Sequence, residues 1–326
     1  MDIRKILYAT DLSACSRQAF APATSIARRC DAELHVFHAV LLHGQEPYEP
    51  LMFYSPPSEE AYAAATAAAE KKLTALARSS FAAGVRMVVA QRVALRPAAA
   101  ILEYAEKEGM DMIVIGTHGR SGAGRLLLGS VAEEVMRQAS CPVLVMRQLE
   151  DGKNRPVPLV RHIVVPVDFS LPAQEALLAA GDIALRYGAR LTLLHVIEER
   201  IWAEAYPEPA AARAAHAAVP RERVTARAEH RLRGAAGMLP KGVPFDILLR
   251  GGDPATEIVA FAEHTGADLV VMASRGLTGI DRLMFGSTAE EVVRNADAPV
   301  LVVHPRGDAP AHPLPGRTME SVTPRA

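Results

Sequence analysis

The chain has 326 residues, of which 50% are hydrophobic and 22% charged, and its formal net charge is -1. That length suits two domains of ordinary size, and the balanced charge argues against a disordered or nucleic-acid-binding protein. Three cysteines without a Cys-x-x-Cys spacing disfavour a disulfide framework or a zinc site. The apolar runs are far shorter than the roughly 18 residues of a membrane span, and the first run is too short for a signal peptide. We therefore expect a cytoplasmic protein with no membrane and no nucleic-acid partner.

In chain order, short apolar runs alternate with longer stretches of helical periodicity, a pattern typical of parallel strands joined by crossover helices. The first half predicts strands near residues 4–9, 33–39, 86–91, 111–115 and 142–146. The second half predicts strands near residues 161–166, 190–196, 244–249, 268–272 and 299–303. Several of these runs are apolar at successive positions, as in strands covered by helices on both faces. The predicted fold class is α/β, with two tandem doubly wound five-stranded parallel-sheet domains of Rossmann-like type.

The two halves repeat each other at a constant spacing. Asp11 and Asp168 lie 157 positions apart (168 − 11), and the same offset pairs His38 with His195. It also pairs further prolines and glycines along the whole half, which indicates a duplication. The predicted division is a first domain at 1–148, a linker at 149–160, a second domain at 161–305 and a disordered tail at 306–326.

A glycine-rich passage follows the predicted fourth strand of the first half and leads into a helix. Its key residues are Gly116, Gly119, Gly129 and Ser130. Glycine lets backbone N–H groups approach a ligand closely, and a helix N-terminus favours an anion, so phosphate is the expected ligand. The second half repeats the passage with Gly276, Gly286 and Ser287.

A second interpretation of this passage is purely structural. Ser130 and Glu133 have the spacing of a capping box, as do Ser287 and Glu290 in the second half. Neither a GxxxxGK[ST] P-loop nor a complete GxGxxG fingerprint occurs, because Leu127 stands at the third glycine position of the only candidate. The sequence therefore disfavours Walker-type hydrolysis and dinucleotide chemistry.

Asp11 and Asp168 follow the first strands of the two halves, at the edge where open α/β sheets bind ligands. Each carboxylate could accept hydrogen bonds from an adenine amino group or from ribose hydroxyls. Each could equally cap the following helix, together with Ser13 or Ser170. His38 and His195 are interpreted as packed, hydrogen-bonded residues and are left outside the site.

Together, the sequence Tyr8-Ala9-Thr10-Asp11 and the glycine passage from Gly116 to Ser130 resemble the universal stress protein family in its tandem form. The resemblance covers about 4–147 and 161–304. It implies the adenine nucleotide alpha hydrolase-like fold, binding of ATP, with Mg²⁺ as an accompanying ion, and a regulatory or stress-protective role without catalytic residues. Carried over by position, the nucleotide-binding residues are Asp11, Ala39, Gly116, Gly119, Gly129, Ser130 and Val131 in the first half. In the second half they are Asp168, Val196, Gly276, Gly286, Ser287 and Thr288.

The second half departs from the family motif at Ala273, which stands where the first glycine belongs. The first half departs at Leu95-Arg96-Pro97, where its twin has Gly252-Asp253-Pro254. The resemblance also implies that Val143 to Met146 and Val300 to Val303 pair the two halves, with a homodimer of the fused chain as a further option.

Three functions stay open at this point. The leading hypothesis is an adenine-nucleotide-binding regulatory protein, for which AMP or a cyclic nucleotide would suit the same contacts as ATP. The second is a nucleotide-free interaction module, in which the glycine passage serves only as a turn and a cap. The third is an adenylating enzyme of related fold, which lacks support because the chain has no His-x-Gly-His motif.

Overall fold

The structure is a computed structural model that describes residues 1–41, 58–117, 128–147, 160–198, 221–276 and 285–305. The strands of the first half are β1 (Lys5–Ala9), β2 (Glu33–Leu41), β3 (Arg86–Ala94), β4 (Met112–Gly116) and β5 (Val143–Met146). Those of the second half are β6 (His162–Pro166), β7 (Arg190–Ile197), β8 (Phe245–Gly251), β9 (Leu269–Ala273) and β10 (Val300–Val303). The predicted linker, apart from residue 160, and the predicted tail lie outside the described residues.

Helices connect the strands. Those of the first half are α1 (Ala14–Gln18), α2 (Phe20–Cys30), α3 (Glu59–Ala77), α4 (Pro97–Glu108) and α5 (Ser130–Gln138). Those of the second half are α6 (Leu171–Tyr187), α7 (Arg221–Ala236), α8 (Pro254–Thr265) and α9 (Ser287–Asn295). Three of these helices end at a glycine in the left-handed region, Gly109, Gly188 and Gly266, where a side chain would be strained.

The ten strands of the described residues form one sheet in the order β3-β2-β1-β4-β5-β10-β9-β6-β7-β8. Within each half every strand pairing is parallel, and the order reverses direction between the first and fourth strands of that half. This reversal is the switch point at which doubly wound sheets bind ligands. The structure therefore confirms the predicted α/β fold class.

The two halves meet through their last strands. β5 and β10 pair antiparallel, with Leu144 opposite Leu301. Two hydrophobic clusters, one on each face of the sheet, extend through both halves. The helices α4, α5, α8 and α9 cover one face, and α2, α3, α6 and α7 cover the other.

Polar contacts also cross this junction. Arg137 of α5 binds Glu133 of its own helix at 2.9 Å and Glu290 of α9 at 3.3 Å. The Nε2 atom of His304 lies 2.7 Å from the carbonyl oxygen of Met136, and Arg147 donates to the carbonyl of Asn295 at 2.7 Å. The helices that begin at the two glycine passages are therefore in direct contact with each other.

Candidate functional site

The turn after β1 is built around Asp11. Its Oδ1 atom accepts a hydrogen bond from the Ser13 backbone N–H at 3.0 Å, and Ser13 Oγ accepts from the Ser16 N–H at the start of α1. Leu12, between them, has a φ of 65°, which is rare for a non-glycine residue. The serine is therefore the helix cap, and the aspartate holds the serine in place.

The second half repeats this turn. Asp168 Oδ1 accepts from the Ser170 N–H at 2.9 Å and from its hydroxyl at 2.6 Å, and Ser170 caps α6. Phe169 takes the strained position, with a φ of 67°. Strain that recurs at the carboxyl end of both first strands marks a position fixed by its surroundings, a common property of functional sites.

Both histidines are hydrogen-bonded, as the sequence interpretation expected, although His38 also lines the cavity described below. His38 Nδ1 donates to the Thr10 carbonyl and His195 Nδ1 donates to the Val167 carbonyl, each at 2.7 Å. Because a carbonyl only accepts, each neutral ring carries its proton on Nδ1. Burial lowers the pKa of His195, so that ring is neutral at pH 7.

The glycine passage ends in the same way in both halves. Gly129 N–H donates to the Thr117 carbonyl at 2.7 Å, and Gly286 N–H donates to the Ser274 carbonyl at 2.9 Å. These bonds bring the start of α5 and the start of α9 back against the ends of β4 and β9. A Cβ on Gly286 would lie 3.3 Å from the Ser274 oxygen, so a larger residue would be crowded there.

The capping-box interpretation of these helix starts is wrong. Gly129 is the N-cap residue of α5 and Gly286 that of α9, and neither helix has a side-chain cap hydrogen bond. Ser130 is already the first helical residue, and the Glu133 N–H bonds to the Gly129 carbonyl at 2.9 Å. The hydroxyl is one residue too late to cap, since the glycine takes the extended N-cap conformation.

Four other helices begin with a side-chain N-cap, in contrast to α5 and α9. Side chains of Ser13, Ser58, Ser170 and Asp253 accept a hydrogen bond from the first turn of α1, α3, α6 and α8. At α5 the first-turn N–H groups have no such acceptor on the capping residue. Uncapped N–H groups and the helix dipole make this end suited to an anion.

A cavity of about 640 Å³ opens at the switch point of the first half. Asp11 and Ala39 line it at the ends of β1 and β2, and Gly116 at the end of β4. Gly129, Ser130 and Val131 line it at the start of α5. Six of the seven first-half site residues thus surround one space, while Gly119 lies outside the described residues.

The sequence analysis missed part of the cavity wall. His38 and Thr117 contribute from the strand ends, and α3 contributes Tyr62 and Lys72 beside several alanines. As a sequence pattern, such an alanine-rich run predicts only a stable helix. Their spacing along one helix face is the signal that could have shown that α3 leaves room for a ligand.

In the second half three of the corresponding residues, Asp168, Gly276 and Gly286, also lie close together. A Cβ on Gly276 would lie only 2.6 Å from Asp168 Oδ2, so the segment after β9 touches the turn after β6. Ser287 and Thr288 form the first turn of α9, and Val196 lies near the end of β7. Ala273, in place of the motif's first glycine, ends β9 and is buried.

Among the described residues, no group of three or more histidine, cysteine, aspartate or glutamate side chains could hold a metal ion. The described helices also include none with the length and apolar character to cross a bilayer. Asp11 is the one carboxylate among the described residues that line the first-half cavity.

The fold and the repeated site define a class of protein: a duplicated, doubly wound α/β protein with one glycine-bordered helix start in each half. The model of the universal stress protein family matches residues 2–147 and 160–304, which is most of the chain. The chain therefore belongs to the universal stress protein family, as the motifs had indicated, in a form with two such domains in tandem.

Individual relatives agree with this assignment. A universal stress protein of Methanocaldococcus jannaschii is 33% identical over 156 residues, which cover 48% of this chain and 86% of the relative. One of Mycobacterium tuberculosis is 32% identical over 192 residues, which cover 59% of this chain and 61% of the relative. The crystal structure of a universal stress protein from Archaeoglobus fulgidus matches the fold with a TM-score of 0.68 at 23% identity, over 94% of this chain and all of that one.

Proposed function

We propose that this protein binds an adenine nucleotide, with ATP as the leading candidate, in the cavity of its first half and acts as a regulatory or stress-protective protein. The observation that carries the proposal is the uncapped start of α5, which faces the same cavity as Asp11. The cavity volume falls within the roughly 300–1,000 Å³ typical of small-molecule sites.

The wall supplies groups of the right chemistry for each part of the ligand. The N–H groups of Ser130 and Val131 at the helix start would receive phosphate. Asp11 has a second carboxylate oxygen beside the one that accepts from Ser13, and a carboxylate can accept bonds from hydroxyl or amino groups of a nucleoside. Ala39 and Ile101 offer apolar surface for a base. The donor set fits Mg²⁺ only as an ion carried in by the phosphates, since Asp11 is a single carboxylate.

The proposed role is binding and signalling rather than catalysis. His38 donates its Nδ1 proton to the Thr10 carbonyl, which leaves its Nε2 atom as the one that could accept a proton. We assign it no catalytic step and expect ATP turnover to be slow compared with ordinary enzymes, whose rates are about 1–1,000 per second. The cytoplasmic location and a homodimer of the fused chain are part of the same proposal, and each stays a prediction.

Calorimetric titration of the intact protein with ATP tests the proposal. Saturable binding should be lost, or weakened more than tenfold, in Gly129→Glu, because the new carboxylate would lie at the phosphate site and repel it. Ala83→Glu is the control: this exposed residue precedes β3 at the amino ends of the strands, so the same charge is added away from the cavity. Titrations with AMP and a cyclic nucleotide identify the preferred ligand, and equal binding by both variants, or no binding at all, would contradict the proposal.

A further inference from the structure

Three positions that matter for the cavity can be compared between the halves, and two of them carry different residues. In the first half Leu12, His38 and Lys72 line it. Their second-half counterparts are Phe169 and His195, at the repeat offset of 157 (169 − 12 and 195 − 38), and Arg231, at an offset of 159 (231 − 72). The offset of 159 holds for the helix as a whole, because buried Leu73 of α3 matches buried Leu232 of α7 (232 − 73).

In the second half these three counterparts touch one another. The Arg231 guanidinium carbon lies 4.0 Å from the centre of the Phe169 ring. The Phe169 ring lies in turn 4.4 Å from the His195 ring, centre to centre, at an angle of 45°. Both distances are those of favourable cation–π and aromatic contacts. The stack therefore joins α7 to the turn after β6 and to β7, at the positions whose first-half counterparts line the cavity.

Two further differences between the halves also make the second half less favourable for a nucleotide. Ala273 adds a methyl group where the first half has Gly116, which lines the cavity. At the start of α8 the second half has Asp253, whose carboxylate accepts from the Thr256 N–H. The first half has Arg96 at that position, paired with Glu134 of α5 at 2.5 Å. The residue before Pro97, which lines the first-half cavity, is thus a cation, whereas the residue before the corresponding Pro254 is an anion, and an anion repels phosphate.

We propose that each chain holds a single nucleotide, in its first half, and that the stack of Arg231, Phe169 and His195 keeps the second half closed to it. This inference rests on the proposed function. It makes Phe169 and Arg231 the residues that decide occupancy. Because Phe169 follows Asp168 directly, the ring is held against His195 by the same strained turn that both halves share.

Binding stoichiometry separates this inference from the proposed function. Calorimetry with ATP on the intact protein should give about one nucleotide per chain, unchanged in Gly286→Glu. A stoichiometry near two that falls to one in Gly286→Glu would overturn the inference and leave the proposed function standing. No binding in the wild-type protein would overturn the proposed function itself.

Variants test the stack directly. Replacement of Phe169 by Leu, Arg231 by Lys and Ala273 by Gly gives the second half the first-half residues, and the stoichiometry should rise from one to two. The converse pair, Leu12→Phe with Lys72→Arg, should weaken first-half binding more than tenfold while the thermal transition without nucleotide stays in place. The stack is not the closing element if the triple variant folds and still binds one nucleotide, or if the converse pair binds as the wild type does.

Discussion

Replacement of Gly276 by Ala should destabilise the protein, although the residue lies in no helix or strand. The new Cβ would be 2.6 Å from Asp168 Oδ2, whereas ordinary contacts begin near 3.4 Å, so one of the two must move by about 0.8 Å (3.4 − 2.6). Asp168 cannot turn aside freely, because Oδ1 accepts two hydrogen bonds from Ser170. A well-formed hydrogen bond to a charged group contributes roughly 1.5–3 kcal/mol to the free energy of unfolding, and its loss costs the same amount. Since the side chain is half-buried, we expect a total loss of about 1–3 kcal/mol.

A double-mutant cycle isolates this clash. Asp168→Ala alone should also destabilise, because it removes the bonds to Ser170, but adding Gly276→Ala to it should cost almost nothing more. The coupling free energy then equals the cost of the glycine variant with opposite sign. Urea unfolding of the intact chain followed by circular dichroism measures all four proteins, and Gly234→Ala is the control. Its Cβ meets nothing within 4 Å and it lies inside α7, so it should stabilise by up to about 1 kcal/mol.

Two results would refute this reasoning. One is a Gly276→Ala protein whose urea midpoint equals that of the wild type, which would mean that the turn absorbs the shift without losing a bond. The other is additivity, in which the double variant loses the sum of the two single losses. Additive losses would place the effect of the Gly276→Ala change away from the Asp168 carboxylate.

Three shorter predictions concern capping, pH and thiol chemistry. Ser13→Ala should lower the free energy of unfolding by about 1 kcal/mol, measured by urea unfolding, because Ser13 caps α1. Burial lowers the pKa of His162, His195 and His304 in the folded protein, so stability present above the unfolded pKa of about 6.5 should be lost as the pH falls below it. A urea midpoint that is equal at pH 7.5 and 5.5 would contradict this. Burial raises the pKa of Cys141 to about 12, so peptide mapping should find it unlabelled by a thiol reagent at pH 8 until urea is added.

The strands could be predicted because burial and sequence pattern agree there. β4 is apolar at successive positions in the sequence and buried at Met112 through Ile115 in the structure. The position of Asp11 could be predicted for a related reason: it is the first charged residue beyond the segment that carries β1. The hydrogen bond that Asp11 accepts from the Ser13 N–H could not be predicted, because it depends on the left-handed conformation of Leu12. Leucine has no local preference for the left-handed conformation, so the sequence does not predict it.

Helix starts were harder to predict than strands. The spacing of Ser130 and Glu133 is that of a capping box, and the pattern contains no information on which residue takes the extended conformation. In the structure Gly129 takes it, because its N–H bonds to the Thr117 carbonyl and ties the helix start to the end of β4. A tertiary contact thus determines which residue is the N-cap of α5. Because that residue is a glycine without a capping side chain, the first turn of α5 can bind a ligand.

Comparison of the two halves at a constant offset does not predict the contact between Arg231 and Phe169, because α7 is shifted in register relative to α3. At the repeat offset of 157, Lys72 corresponds to Glu229 (72 + 157), and no cation would face the second-half turn. Burial shows instead that Ala69 and Leu73 of α3 correspond to Ala228 and Leu232 of α7, two positions further along. The shift places Arg231 over Phe169. A helix packs by its buried face, so the packed residues rather than the constant spacing decide which side chain reaches the site. For the same reason, Arg231→Glu should open the stack more than the same change at Arg233, which is equally in the exposed class but pairs along its own helix with Glu229.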